Sequence, residues 1–173
     1  MDMSRITLRP FKLSDIDDFM VWANDDQVIR FTRMKGFTSK EDGLRHLKEV
    51  AIPHPWRRSI CLDDRSIGFV SIYPGSGEYI CKGDIGYAVA TQYCGQGIAT
   101  IAVKMALFSV FLDFPHMERL QALVNSENKA SQRVLEKAGF LKEGLMRKYM
   151  VFKGKTSDYV SFSFISTDSV PEL

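Results

Sequence analysis

The stretch Asp84-Ile85-Gly86-Tyr87-Ala88-Val89, followed by Gln92-Tyr93-Cys94-Gly95-Gln96-Gly97-Ile98-Ala99-Thr100, decides the fold. The first part alternates like a strand. The segment Ile98–Leu112 that follows the glycines is apolar on nearly every side and reads as a buried helix. Two glycines in a tight loop between strand and helix make an anion site. Absent side chains let a ligand approach the backbone, and the N–H groups and dipole of the helix start favour phosphate. No Gly-Lys-Ser/Thr follows the glycines, as a nucleoside-triphosphate loop would require. No third glycine or acidic ribose partner in a βαβ unit supports a dinucleotide site. What remains is Gln-x-x-Gly-x-Gly at the mouth of a helix.

Around this centre the chain offers strands and helices in a fixed order. Ile6–Phe11 alternates as an opening strand. Ser14 is expected to cap a first helix, with Asp17 completing a short capping box and Ile16, Phe19, Met20 and Ala23 forming the buried stripe. Thr38-x-x-Glu41 predicts a second cap, for a helix with Leu44, Leu47 and Val50 inside, ended by Pro53 and Pro55. Asn24–Phe37 between them reads as irregular. Arg58–Leu62 and Ile67–Tyr73 form a hairpin about Asp63–Ser66, and Pro74–Gly77 turns the chain into a strand over Tyr79–Val89. After the central helix come a strand at Leu120–Val124 and a helix at Lys129–Ala138 stopped by Gly139. A hairpin of Leu145–Phe152 and Tyr159–Ile165 ends the fold, with a loose tail after Thr167. Hairpins give antiparallel neighbours and strand–helix–strand crossings give parallel ones. The expected fold class is therefore α/β, a mixed sheet covered by helices on both faces, built as a single domain over residues 1–173.

Composition narrows the function classes. A net charge of +2 over 173 residues argues against a nucleic-acid module, which would carry a concentrated basic stripe. Cys61, Cys81 and Cys94 are odd in number and lack CxxC spacing, which speaks against a disulfide framework or a metal site and for a reducing compartment. The longest apolar run is broken by Lys104 and Ser109, so no membrane span is expected, and the reading is a cytoplasmic protein. His46, His54 and His116 are assigned no role, and Cys94 reads as a small neutral filler, since nothing suggests an activating base beside it.

A second motif, Asn128-Lys129-Ala130-Ser131-Gln132-Arg133-Val134-Leu135-Glu136-Lys137-Ala138-Gly139-Phe140, stands about thirty residues beyond the glycine loop. Together with Gln92-x-x-Gly95-x-Gly97 it resembles the GNAT superfamily of acyl-CoA-dependent N-acetyltransferases. The opening Arg5-x-x-x-Arg9-Pro10 and the pair Glu143-Gly144 look most like the branch containing the ribosomal-protein alanine N-acetyltransferases. The resemblance implies a mostly antiparallel central sheet with a V-shaped splay between the Tyr79–Val89 and Leu120–Val124 strands, holding acetyl-CoA as donor. It implies that Gln92, Gly95, Gln96, Gly97, Ile98, Ala99 and Thr100 hold the pyrophosphate. Backbone of Ala88, Val89 and Ala90 would pair with the pantetheine arm, with Val89 N–H as oxyanion donor, and Asn128 and Ser131 would reach the arm or the sulfur. Asn128 is equally explained as the cap of the helix that follows it. Lys129 and Arg133 stand near enough for the 3′-phosphate, or form a solvated helix face.

For catalysis the resemblance implies Asp84 as a base acting through water, at a strand position where relatives carry Glu. The tyrosine that often protonates the departing thiolate, seven residues after the Asn, is Leu135 here. Ser131 is the first substitute and Tyr149 the second. A weak proton-handling set leans toward an amine of low pKa, such as a peptide N-terminus near ~7.7–8.0, over a lysine near ~10.4. Trp22, Phe31, Trp56, Tyr87, Tyr149 and Asp158 are candidates to line the acceptor site. A small-molecule amine acceptor and a non-catalytic CoA-binding protein are the competing readings, and the protein is expected to be a monomer or a homodimer.

Overall fold

The computed structural model describes residues 2–172. Seven strands form one sheet in the order β1-β2-β3-β4-β5-β7-β6. They are β1 (Ile6–Arg9), β2 (Arg57–Leu62), β3 (Arg65–Pro74), β4 (Lys82–Val89), β5 (Arg119–Asn125), β6 (Leu141–Phe152) and β7 (Lys155–Ile165). The helices are α1 (Ile16–Ala23), α2 (Asp26–Phe31), α3 (Lys40–His46), α4 (Ile98–Asp113) and α5 (Lys129–Ala138). Two tight turns explain the hairpins. Asp63 and Asp64 take φ +51° and +62° between β2 and β3, and Lys153 and Gly154 take +49° and +80° between β6 and β7. Both are the left-handed pairs that match strand twist.

All neighbours are antiparallel except β4 and β5, which run parallel through the α4 crossover. The second crossover, through α5, departs from expectation. Its strands β5 and β6 are not neighbours, because β7 inserts between them and pairs with both.

Each face of the sheet carries its own core. Against α4 and α5 lie Val70, Ile72, Ile85, Leu120, Ala122, Val124, Phe162 and Phe164. On the α1–α3 side the core is formed by Phe11, Phe19, Trp22, Val28, Leu47 and Ala90. α4 is buried along Ile98, Ile101, Ala102, Val103, Ala106 and Val110, as its continuous apolar run requires.

Several local expectations shift. The first helix is not capped by Ser14. A short 3-10 turn at Leu13–Asp15 precedes it, and Asp15 accepts from the Lys12 N–H at 2.8 Å. The same carboxylate receives both Arg9 guanidinium nitrogens at 2.8 and 2.9 Å, while Arg9 Nε donates to Asp64 at 2.6 Å. This hub ties β1, the start of α1 and the β2–β3 turn together, and it gives Arg9 of the opening motif a structural role. The second cap is Ser39, not Thr38. After α3 a π-type turn over Leu47–Ala51 rotates the face, so Val50 points outward and Ala51 inward. Asn24–Phe37 contains helix α2, capped by Asp25. The strand expected from Tyr79 starts at Lys82, after a 3-10 turn at Gly77–Tyr79. The tail is docked, with Val170 on the α4–α5 core and Lys104 Nζ donating to the Glu172 carbonyl at 2.6 Å.

Candidate active site

The parallel pairing of β4 and β5 covers only Lys82, Gly83 and Asp84 against Arg119, Leu120 and Gln121, and beyond that the strands part. Their other edges are occupied, by β3 and by β7 over the full length of β5. The bonding pattern says which groups face the gap. Gly75 N–H bonds Lys82 and Ala90 N–H bonds Ile67 at the two ends of the β3–β4 ladder. With an unshifted register between them, the even-numbered residues of β4 bond β3 and the odd ones turn away. Tyr87 and Val89 therefore present unpaired N–H and C=O groups to the opening. Of the expected trio Ala88, Val89 and Ala90, only Val89 does so, and Tyr87 joins it. On the far side Ser126 N–H bonds Asp158 and Ser166 N–H bonds Glu118, which leaves Leu123 and Asn125 facing β4. A wedge lined by unpaired backbone accepts an extended polar chain as an added strand.

At the wide end of the wedge stands the glycine loop. Gly95 and Gly97 adopt φ +76° and +83°, and a Cβ on Gly95 would meet nothing within 4 Å. The concavity is thus open, and the left-handed conformations favour glycine. Gly97 caps α4 without a side-chain acceptor, and the first helical bond runs from Ile101 N–H to the Gly97 carbonyl. The N–H groups of Ile98, Ala99 and Thr100 are left for a ligand. Gln92 and Gln96 brace the loop through Gln96 Nε2 on the Gln92 carbonyl at 3.1 Å. Asp25 holds its start, accepting from Thr91 N–H at 2.8 Å and Thr91 Oγ1 at 2.5 Å. Burial pushes the Asp25 carboxyl up, but the bonds from Thr91 and Gln27 outweigh it and hold the group below its ordinary range. Cys94 donates weakly to the Ala90 carbonyl at 3.7 Å. Burial and nearby Asp25 push its thiol up, so it stays neutral.

Asn128 caps α5, its Oδ1 accepting from Ser131 N–H at 3.1 Å. Ser131, in the first turn, meets a partner that sequence reasoning missed. The Tyr87 hydroxyl lies 2.8 Å from Ser131 Oγ and donates to the Ser131 carbonyl at 3.0 Å. Burial pushes the Tyr87 phenol well up, with the Ser131 bond only a partial offset, so it is a permanent neutral donor at physiological pH. Tyr87 alternates with Ile85 and Val89, which assigned its face, but nothing in sequence named its partner. Leu135 is fully buried in the α4–α5 core. It contributes packing at the position of the family tyrosine.

Asp84 sits at the apex of the wedge, on the α1–α3 face, where it accepts from Gln121 Nε2 at 3.2 Å. Gln121 in turn receives Arg119, which forms a double bond pair with Glu143 at 2.6 and 2.7 Å. Arg119 and Ser163 together hold the Glu143 carboxyl down at about 2. Tyr149 is 48% exposed, with its ring 5.9 Å from that of Tyr159. Among the described residues no direct hydrogen bond joins Asp84, Ser131 and Tyr149. Trp22 and Trp56 are 2% and 3% exposed and belong to the cores, so they do not line an acceptor site. Phe31 is half-buried beneath the Arg30 guanidinium.

Comparison with known proteins agrees with this geometry. The family model described as the acetyltransferase (GNAT) domain matches residues 5–141. The uncharacterized N-acetyltransferase p20 of Bacillus licheniformis is 27% identical over 173 residues, covering 95% of this chain and 94% of that one. The [ribosomal protein uS5]-alanine N-acetyltransferase of Escherichia coli K12 is 28% identical over 87 residues, 50% of this chain and 44% of its own. Among solved structures, Mycobacterium smegmatis RimJ in complex with CoA-disulfide superposes with a TM-score of 0.77 at 25% identity, over 93% of this chain and 82% of that one. The ribosomal-protein-S5-alanine acetyltransferase of Vibrio fischeri gives 0.80 at 24% identity, with 96% of each chain covered, a likeness of fold. No helix among the described residues is long and apolar enough to cross a membrane. With its splayed strands, its glycine loop and the matching domain, this chain belongs to the GNAT family and is an N-acetyltransferase that uses acetyl-CoA.

Proposed function

We propose that the protein acetylates an α-amine at a peptide N-terminus by direct attack on the thioester of acetyl-CoA. The observation that carries the reading is the wedge of unpaired backbone running from an uncapped glycine loop to a carboxylate at its apex. Acetyl-CoA supplies the activated acyl group. The chain binds phosphate through Gly95, Gln96, Gly97 and the first turn of α4, and the open space at Gly95 fits that use. Tyr87 and Val89 hold the arm, and Asn128 stands at the α5 side of the opening. Holding amine and thioester together in this way supplies roughly 7–11 kcal/mol of the barrier.

Strand spacing ranks two oxyanion donors. On β4 Tyr87 lies three residues from Asp84, about 10 Å at ~3.3 Å per residue, and Val89 lies five, about 16 Å. If Asp84 takes the amine proton through a water, the donor that stabilises the oxyanion is the Tyr87 N–H, nearer the apex, and Val89 serves the arm. The Ser131 hydroxyl donates a hydrogen bond to the departing thiolate, which takes its proton from solvent, and Tyr87 sets the direction of that hydroxyl. Tyr149, on the opposite face of the sheet from α5, belongs to the acceptor wall and not to the leaving group.

The acceptor assignment rests on this proton handling. With one water-mediated carboxylate, an amine already part-neutral at pH 7 is favoured over a lysine. A panel of peptides with free or blocked N-termini, each with one internal lysine, tests it by mass spectrometry. Acetylation confined to free N-termini is expected. Acetylation of the lysine in blocked peptides at equal rate overturns the reading.

A further inference from the structure

Alternation on β3 and β4 sets the floor of the acceptor side. Val70 and Ile72 point into the core beneath α4 and α5, so Phe69, Ser71 and Tyr73 lie on the opposite face, where Phe69 packs with the α1–α3 core. On β4, Ile85 belongs to the α4–α5 core, which puts Asp84 and Gly86 on the face of Ser71 and Tyr73. The register sets Tyr73 beside Asp84 and Ser71 beside Gly86. One strand further out, Arg57 of β2 pairs with Ser71. Its side chain follows the same face: Nε donates to Ser71 Oγ at 2.7 Å and Nη2 to the Tyr73 hydroxyl at 2.8 Å. The guanidinium carbon stands 5.8 Å from the Phe69 ring centroid and 6.0 Å from that of Tyr73. The cation is thus held above Ser71, about one strand spacing, ~4.8 Å, from Gly86. A Cβ on Gly86 would meet only the Tyr73 ring within 4 Å, at 3.9 Å, so the floor beside the cation is open.

This guanidinium has no counter-ion. Arg5, Arg9, Arg65, Arg119 and Arg133 each meet a carboxylate, whereas among the described residues Arg57 forms no ion pair. The two hydroxyls take two of its five N–H groups and leave Nη1 and the second Nη2 proton free to bind an oxyanion. The rings around it supply no charge. His54 meets Tyr73 edge-on at 4.9 Å, and His46 stacks on Phe19. Burial first and Arg57 second lower the pKa of both histidines, so they flank the cation as neutral groups. Asp84, exposed on the same floor, accepts only from the Gln121 amide. One carboxylate and one guanidinium, both unpaired, therefore stand two residues along β4 and one strand spacing apart, about 8 Å. That arrangement complements an acceptor carrying an amine and, close to it, an anion. A guanidinium kept for packing alone would not need its fork aimed by two hydroxyls over an open floor. We propose that Arg57 is a specificity residue of the acceptor site, binding a carboxylate on the first or second residue of the peptide to be acetylated. The span sets the position. With the amine one water from Asp84, the remaining distance is what one residue or its side chain covers, at ~3.3–3.6 Å per extended residue.

The inference rests on the acetyltransferase reading of the wedge, and one assay separates the two. Peptides identical but for Asp or Asn at residue 1, 2 or 6 are compared by thiol release from acetyl-CoA. Asp at residue 1 or 2 is expected to raise kcat/KM roughly three- to ten-fold over Asn, mainly through KM. The advantage shrinks at high salt and is absent at residue 6. Arg57→Gln removes the difference between Asp and Asn while the Asn peptides keep near wild-type rates. Arg57→Lys keeps the charge without the fork and narrows the difference, and it decides the matter if the Gln variant melts below the assay temperature. A loss shared equally by Asp and Asn peptides in the variants marks a packing residue and overturns the inference. Equal rates in the wild type, or an Asp advantage as large at residue 6, overturn it too. Each of these leaves the acetyltransferase reading standing. No release with any peptide overturns that reading and the inference with it.

Discussion

Tyr87→Phe removes one hydroxyl and leaves the ring in place. The hydroxyl makes two contacts, 2.8 Å to Ser131 Oγ and 3.0 Å to the Ser131 carbonyl. Ser131 is half-exposed, so its oxygen finds water when the phenol is lost. The stability cost is therefore that of an ordinary hydrogen bond, about 1 kcal/mol, or ~2–4 °C in Tm for a chain of this size. The kinetic cost is of another kind. A serine hydroxyl freed from its partner samples three staggered wells, which alone dilutes the productive one about three-fold, and lost polarisation extends this to roughly ten-fold. Ser131→Ala removes the hydrogen-bond donor proposed for the thiolate and is expected to cost ~10²-fold. Because the Tyr87 hydroxyl acts only through Ser131, the double variant is no slower than Ser131→Ala. Single-turnover thiol release reads the rates, with KM for acetyl-CoA and thermal melts alongside. Additive losses in the double variant, or a Tyr87→Phe defect lying wholly in KM for acetyl-CoA, would falsify the positioning role.

Other outcomes follow from the same geometry. Gly95→Ala meets no neighbour but must adopt φ +76°, costing ~1–2 kcal/mol locally, so titration should show acetyl-CoA bound about ten-fold more weakly with the melt little changed. Asp15→Asn breaks a buried ion pair whose carboxylate also accepts from Lys12 N–H; a loss of roughly 3 kcal/mol, near ~10 °C in Tm, is expected, and a shift below ~2 °C contradicts the hub. pH acts through two groups of opposite chemistry and the same sign. His46, stacked on Phe19, has its pKa lowered by burial and by Arg57, so the unfolded chain takes up the proton first and stability falls as pH drops below ~6.5. Glu143, held at about 2, adds a contribution present above ~4.3 and lost as pH falls toward 2; being surface-exposed and screened, it is the smaller effect. Denaturant midpoints for His46→Asn and Glu143→Gln should flatten these two windows separately.

The sequence carried the site where chemistry is local and lost it where partners come from distant strands. Gly95 and Gly97 were legible because glycine takes a left-handed loop conformation without steric cost, and Asn128 because a cap is read over three residues. The α4 and α5 boundaries followed from Ile98 after Gly97 and from Gly139 after Ala138. Tyr87–Ser131 was not legible, because 44 residues separate the two and the face of a strand does not name its neighbour. Ser14 and Thr38 matched cap patterns, but a 3-10 turn and a better-placed Ser39 took those roles. Trp22 and Trp56 looked suited to a pocket because aromatic character alone does not distinguish a core from a wall. The insertion of β7 between β5 and β6 depends on a pairing across the whole sheet, which no window along the chain contains.

Direct transfer of an acetyl group to an amine in the wedge beside the glycine loop is tested most directly by thiol release from acetyl-CoA with and without N-terminal peptide, in the wild type and in Gly97→Trp. Release that depends on peptide, accompanied by acetylated product in equal amount and abolished in the variant while its fold persists by circular dichroism, is the predicted result. Tight CoA binding with no peptide-dependent release, or release untouched by tryptophan at position 97, would contradict the account.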